Sequence, residues 1–303
     1  MTTSEKLRRI AGSGLITLLL GVALLAVAGC ATAPSRDVIA PFRQGVLLVD
    51  QQSSAAFADA NSFLRRRQIE RAVKQDALTE ELFFEGLASD DITKWHRAFV
   101  LIDSYAEKLE RLLDQEQRSG VEGELSALGE RIEASRGEQL PAGISAAFMK
   151  LGGFLVNLRA ERDALEVIRK ADPAIQEVFR AMVEAVGDSS FGVRGTVRTY
   201  WTNVLGKIDA TDFRLASSID AKHAAVLRYV DALDERDMQD RQLGSVGVSL
   251  AALANAHREL AQGRRVSAAA LIQLVQDEYK AYREQAKLFR DRRAGGSTSG
   301  GTQ

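Results

Sequence analysis

An all-α fold, an elongated antiparallel multi-helix bundle with coiled-coil-like heptad seams, is predicted by three features of this 303-residue sequence. Proline occurs only at positions 34, 41, 141 and 173, each where a segment would begin or end, and none lies between Phe42 and Gly120. Apolar residues recur at alternating spacings of three and four over long stretches, which gathers them on one helix face and cannot arise from a strand. The connections between these stretches look short, so neighbouring helices should run antiparallel and cross at shallow angles. A coiled-coil homodimer is the alternative for any single seam.

The N-terminus reads differently from the rest. Lys6, Arg8 and Arg9 form a basic head, and an apolar stretch from Ala11 to Ala28 follows. A basic head, an apolar middle and small residues at the end describe a secretory signal peptide. The uninterrupted run from Leu15 to Ala28 falls short of the ~20 residues that a membrane-spanning helix needs. At its end stands LAVAGCATAP, residues 25–34, which contains the chain's one cysteine.

Val27-Ala28-Gly29-Cys30 resembles the lipobox of bacterial lipoproteins. The resemblance covers the first 30 or so residues, and it implies cleavage between Gly29 and Cys30 with a lipid carried on the Cys30 sulfur. In the Gram-negative members of that family an aspartate after the cysteine favours retention at the inner membrane. Ala31 stands there instead, so the resemblance implies the periplasmic face of the outer membrane. Residues 1–29 are thus expected to be the signal peptide and residues 30–41 a lipidated tether. A helical domain over 42–292, with a possible subdivision near 172–190, and a disordered Gly- and Ser-rich tail over 293–303 complete the chain.

Six stretches of the body follow one plan. Gly45 to Gln75 reads as a helix with Val46, Val49, Phe57, Ala60 and Leu64 inward. The clearest helix follows the capping run Ser89-Asp90-Asp91, with Ile92, Trp95, Phe99, Ile102, Ala106, Leu109 and Leu113 in a heptad seam. Residues 118–143 are Gly- and Glu-rich, a looser connection with one short helix around Leu125 to Ile132. Ile144 to Lys170 reads as a helix, and Asp172-Pro173 as the start of the next, which ends near Gly187. Phe191 to Tyr200 would also suit a strand, but Val197, Trp201, Val204 and Ile208 continue at helical spacing. The last helix carries Ala268, Ile272, Val275, Tyr279, Tyr282, Ala286 and Phe289, with Leu271 and Leu274 widening the stripe toward a second neighbour.

The search for chemistry returns few candidates. Without residues 1–29 the chain holds 37 Lys and Arg against 40 Asp and Glu, which leaves no electrostatic footprint for nucleic acid. Phosphate loops and the common hydrolase motifs are missing, and no cofactor is expected. His96 sits beside Trp95 but off the seam, a rim position. His223 and His257 lie on apolar stripes, Ile219-His223-Val226-Val230-Leu233 and Val246-Leu250-Leu253-His257-Leu260. If the chain turned back near Asp240, the two would face each other as a candidate buried metal or proton site. In an unbroken helix they would not meet. The acidic residues Asp231, Asp234, Glu235, Asp237 and Asp240 lack the pattern of a calcium loop and read as a solvated face. Arg65-Arg66-Arg67 likewise reads as surface.

These features point to a non-catalytic envelope protein, bound to a membrane through the lipid on Cys30, that serves as a scaffold or adaptor for another envelope protein. The alternative is a helical module that holds a small apolar molecule near Phe83, Phe84, Phe148, Phe154 and Trp201.

Overall fold

A computed structural model describes residues 36–83, 89–114, 117, 119–135, 139–158 and 163–296. The chain forms two compact units, residues 1–33 and 34–303. The first, with Gly29 and Cys30, lies outside the described residues. Within the second, the described residues form eight α-helices and no strand. They are α1 (Arg36–Gln75), α2 (Ser89–Leu113), α3 (Val121–Ala134), α4 (Ala142–Val156), α5 (Ala164–Val186), α6 (Gly192–Lys207), α7 (Ile219–Ala261) and α8 (Arg265–Gly296). A short 3₁₀ turn, Glu80–Leu82, follows α1, and a π-helical turn, Ile208–Phe213, follows α6.

Length makes α7 the spine. Its 43 residues extend over about 65 Å at 1.5 Å per residue. Along that length it packs against α1, α5, α6, the π-helical turn and α8. Paired side chains give the directions. Phe42 meets His257, Gln52 meets Ser245 and Arg66 meets Glu235, so α1 and α7 are antiparallel. Arg169, Asp172 and Gln176 of α5 reach Ala261, His257 and Ala254 in the same sense. Asp50 meets His96 and Arg43 meets Asp103, which runs α2 antiparallel to α1.

The predicted seams supply the core. Trp95, Phe99, Ile102, Ala106 and Leu109 are buried on α2, as are Val46, Val49, Phe57, Ala60 and Leu64 on α1. Phe63 of α1 stacks on Trp201 of α6, with ring centroids 3.7 Å apart and planes 14° from parallel. On α8, Ala268, Ile272 and Val275 are buried, whereas Leu274 faces solvent. The side chains of Ala286 and Phe289 lie outside the described set.

The looser connection contains a closely packed pair. In α3, Gly129 approaches α4 so nearly that a Cβ would stand 2.7 Å from the carbonyl oxygen of Gly152. Two facing glycines let the backbones meet where any side chain would hold them apart.

Several boundaries move. Residues 36–41 of the expected tether 30–41 are helical, because α1 begins at Arg36 and takes Pro41 inside it, and residues 30–35 lie outside the described set. Ile144–Lys170 is not one helix. It breaks after Val156, and α5 starts at Ala164, where the Asp163 side chain accepts from Leu165 N–H at 2.8 Å. Pro173 therefore sits within α5 and opens nothing. It withholds the N–H that the Arg169 carbonyl would accept, a loss that the buried apolar face of α5 offsets. No boundary falls near 172–190, since α5 and α6 both pack on α7. At the other end α8 runs to Gly296, into the expected tail, and residues 297–303 lie outside the described set.

Candidate functional site

The predicted histidine pair does not form. No turn occurs near Asp240: α7 is continuous from Ile219 to Ala261, and the break in the helices comes before it, at residues 214–218. His223 and His257 are therefore some 50 Å apart along one axis. His223 is exposed and His257 fully buried. No group of three or more metal-ligating side chains occurs among the described residues.

His257 has other company. Its Nδ1 lies 2.8 Å from Oδ1 of Asp172 on α5, and its Nε2 lies 3.0 Å from the hydroxyl of Tyr105 on α2. An ionised carboxylate only accepts, so Nδ1 donates to Asp172, which leaves Nε2 to share a hydrogen bond with the Tyr105 hydroxyl. Gln176, one turn after Asp172, donates to Asp172 Oδ1 at 2.9 Å and to the Ala254 carbonyl at 2.7 Å. Arg258 donates to Oε1 of Gln176 at 2.7 Å. Phe42 covers the imidazole, its ring centroid 5.9 Å away.

The electrostatics follow from burial and partners. Burial pushes the Asp172 carboxyl up, but hydrogen bonds from His257 and Gln176 and the charges of His257 and Arg258 outweigh it, holding the group below its ordinary value. Burial, with the Asp172 charge adding to it, raises the Tyr105 phenol well above its ordinary value. A carboxylate that orients an imidazole against a hydroxyl has the form of an activated nucleophile. Here the hydroxyl is a phenol kept protonated, and neither Tyr105 nor His257 has surface that a substrate can reach. The arrangement joins α2, α5 and α7 as a three-helix staple. Nothing local in the sequence marks Tyr105 or Asp172 as its members: Tyr105 sits beside the α2 seam, and Asp172 precedes a proline and resembles a helix cap.

The other polar candidates change character too. Asp50 is buried and accepts from the exposed His96 at 2.8 Å; burial raises the Asp50 carboxyl, and the contact with His96 opposes this. The acidic run on α7 is not one solvated face. Glu235 is buried and pairs with Arg66, and Asp240 accepts two hydrogen bonds from Arg194, at 2.8 and 3.1 Å. Arg66 is thus a clamp between α1 and α7, while the Arg65 guanidinium lies 5.8 Å over the Phe83 ring. Deeper in the α1–α7 interface, Gln242 is buried with neither amide atom paired among the described residues.

Of the aromatic residues expected to line a cavity, Phe148 is buried in the core and Phe83 lies under the Arg65 guanidinium. Trp201 is taken up by Phe63, and Phe84 lies outside the described residues. An open groove of about 280 Å³ lies elsewhere, between α6, the π-helical turn and the start of α7, lined by Leu205, Ile208, Phe213, Val226 and Tyr229 among others. No helix among the described residues is long and apolar enough to cross a membrane. Comparison with protein-family models, with curated proteins and with solved structures finds no match.

Proposed function

We propose that this chain is a lipid-anchored scaffold or adaptor of the bacterial cell envelope, non-catalytic, held at the periplasmic face of the outer membrane by the lipid on Cys30. The observation that carries the reading is the place of the chain's one cysteine, directly after Val27-Ala28-Gly29 at the end of the apolar run. Two or more acyl chains on such an end anchor stably, whereas one binds only marginally. The start of α1 at Arg36 supports an adaptor, because residues 31–35 reach at most about 20 Å and keep the N-terminal end of the bundle close to the bilayer. The enclosure of Tyr105 and His257 supports a structural use of the His257–Asp172 contact.

Labelling with an alkyne fatty acid in a Gram-negative host tests the anchor. The wild-type chain is expected to take up label and fractionate with the outer membrane, and Cys30→Ser to do neither and to keep residues 1–29. Equal labelling of Cys30→Ser contradicts the reading. The second reading, a module for a small apolar ligand, draws on the groove beside Phe213 and Val226, whose volume lies at the low end for such sites. Native mass spectrometry of the purified chain decides it: a stoichiometric small molecule bound to the folded protein favours the module.

A further inference from the structure

The N-terminal third of α7 is apolar on two sides. Ala225 and Ala232 are buried, on the side turned to α6 and the π-helical turn. At 100° per residue, Ile219, Val226 and Val230 fall together about 120° round from that side, with Val226 at the rim of the groove, His223 among them and Leu227 at their far edge. These apolar residues are exposed, Ile219 by 86% and Leu227 by 54%. The spacing 219-223-226-230 continues the heptad pattern that elsewhere in this chain is covered by a neighbouring helix. A stripe of this kind over about 20 Å of helix is an interaction surface without its second half.

The charges beside the stripe choose the occupant. Asp220, Asp231 and Asp234 line its Leu227 edge, exposed and without a partner among the described residues. The nearby cations are engaged: Lys222 lies 5.9 Å over the Phe213 ring, Arg228 pairs with Asp212 at 3.3 Å and Arg236 with Asp237 at 2.7 Å. A second copy of this chain, laid antiparallel along the stripe, would set Asp220 against Asp234 and repel. An anionic lipid surface would meet the same aspartates. The stripe also lies far along the bundle from the start of the described chain at Arg36, because Arg66–Glu235 and Lys74–Asp212 tie it to the far end of the roughly 60 Å α1.

We infer that this face of α7 docks a basic amphipathic helix from another protein, its apolar residues on Ile219, Val226 and Val230 and its Lys or Arg flank on Asp220, Asp231 and Asp234. The groove between Val226, Leu205 and Phe213 takes one side chain of that helix. The inference deepens the adaptor reading and rests on it for the choice of a protein partner.

The probe is a fluorescent peptide of about three heptads with leucine at a and d and lysine at e and g, beside a twin with glutamate for lysine. The full-length chain, in a non-ionic detergent, is expected to bind the lysine peptide at least about tenfold tighter than its twin. Val226→Asp with Val230→Asp should weaken binding about tenfold or more while leaving the helical melting curve unchanged, since both sites are exposed. Asp231→Asn with Asp234→Asn should shrink the preference for lysine. Equal binding of the twins, or indifference to the valine changes, overturns the inference. So does a wild-type dimer in sedimentation, or binding to phosphatidylglycerol vesicles, that the valine changes abolish. The peptide result does not depend on Cys30: if lipid labelling fails and peptide binding holds, the anchor falls and the docking face stands.

Discussion

The Tyr105 hydroxyl and Nε2 of His257 share a hydrogen bond of 3.0 Å at a place in the bundle where neither side chain has any exposed surface. The imidazole is held from its other side by Asp172, so one residue of α7 fixes the positions of α2 and α5. The sequence carries both stripes that bring these helices together, but a contact between residues 172 and 257 leaves no trace in local spacing.

The staple makes stability depend on acid in a definite direction. The Asp172 carboxylate is held below its ordinary value, so its contribution is present above the unfolded-chain value of about 3.9 and is lost as pH falls through the lower folded value. Asp172→Asn should cost ~1–3 kcal/mol at pH 7 and nothing at the acid extreme. Urea unfolding at a series of pH values checks this: the wild-type and variant midpoints should converge on acidification. Parallel curves would contradict it.

Phe99 tests the clearest seam. It is buried between Trp95 and Ile102, and truncation to alanine should cost ~3–5 kcal/mol through lost burial and a residual cavity. Arg97 is exposed on the same helix, and Arg97→Ala should change stability by less than about 0.5 kcal/mol. Thermal unfolding of the pair decides whether this stripe is core. An unchanged melting temperature for Phe99→Ala would make it a docking face instead.

Much of the fold was legible because helical spacing is a local signal. The seams of α1 and α2, the last helix and the helix through Trp201 could all be read from it. What failed depended on distant partners. Asp172-Pro173 looks like a helix start, yet the cap is Asp163, and α5 carries the proline because its apolar face is buried on α7. Polar Asp234 to Gln242 looks like a turn, yet Glu235, Gln239 and Gln242 are buried, meeting Arg66 and Trp201 or lying within the α1–α7 interface. A helix that is polar on a face covered by other polar side chains cannot be told from a loop by hydropathy alone.

Two glycines of α3 should respond oppositely to the same change. A Cβ on Gly129 would press on the backbone of α4 at Gly152 and Val156, so Gly129→Ala should cost ~1–3 kcal/mol despite its gain in helix propensity. Gly123 has open space around it, and Gly123→Ala should stabilise by ~0.5–1 kcal/mol. Chemical unfolding of both variants reads the difference directly, and equal effects would deny the close approach of α3 and α4.

Gln242 occupies a buried position with its amide unpaired among the described residues, a group that costs stability where it stands. Methionine has a similar volume and no such requirement. Gln242→Met should leave the urea midpoint equal or higher. A fall of more than ~1 kcal/mol would show that the amide is hydrogen-bonded in solution.

The central claim is that α7 is one unbroken spine, with the Tyr105–His257–Asp172 staple toward one end and the apolar stripe at the other. Spin labels at His223→Cys and Val248→Cys, both exposed sites, test it in a Cys30→Ser background that removes the native thiol. Pulsed electron paramagnetic resonance should give a distance near 38 Å, the rise of a continuous helix between the two positions. A chain that turned back near Asp240 would bring the labels within about 20 Å, and a distance in that range would contradict the account.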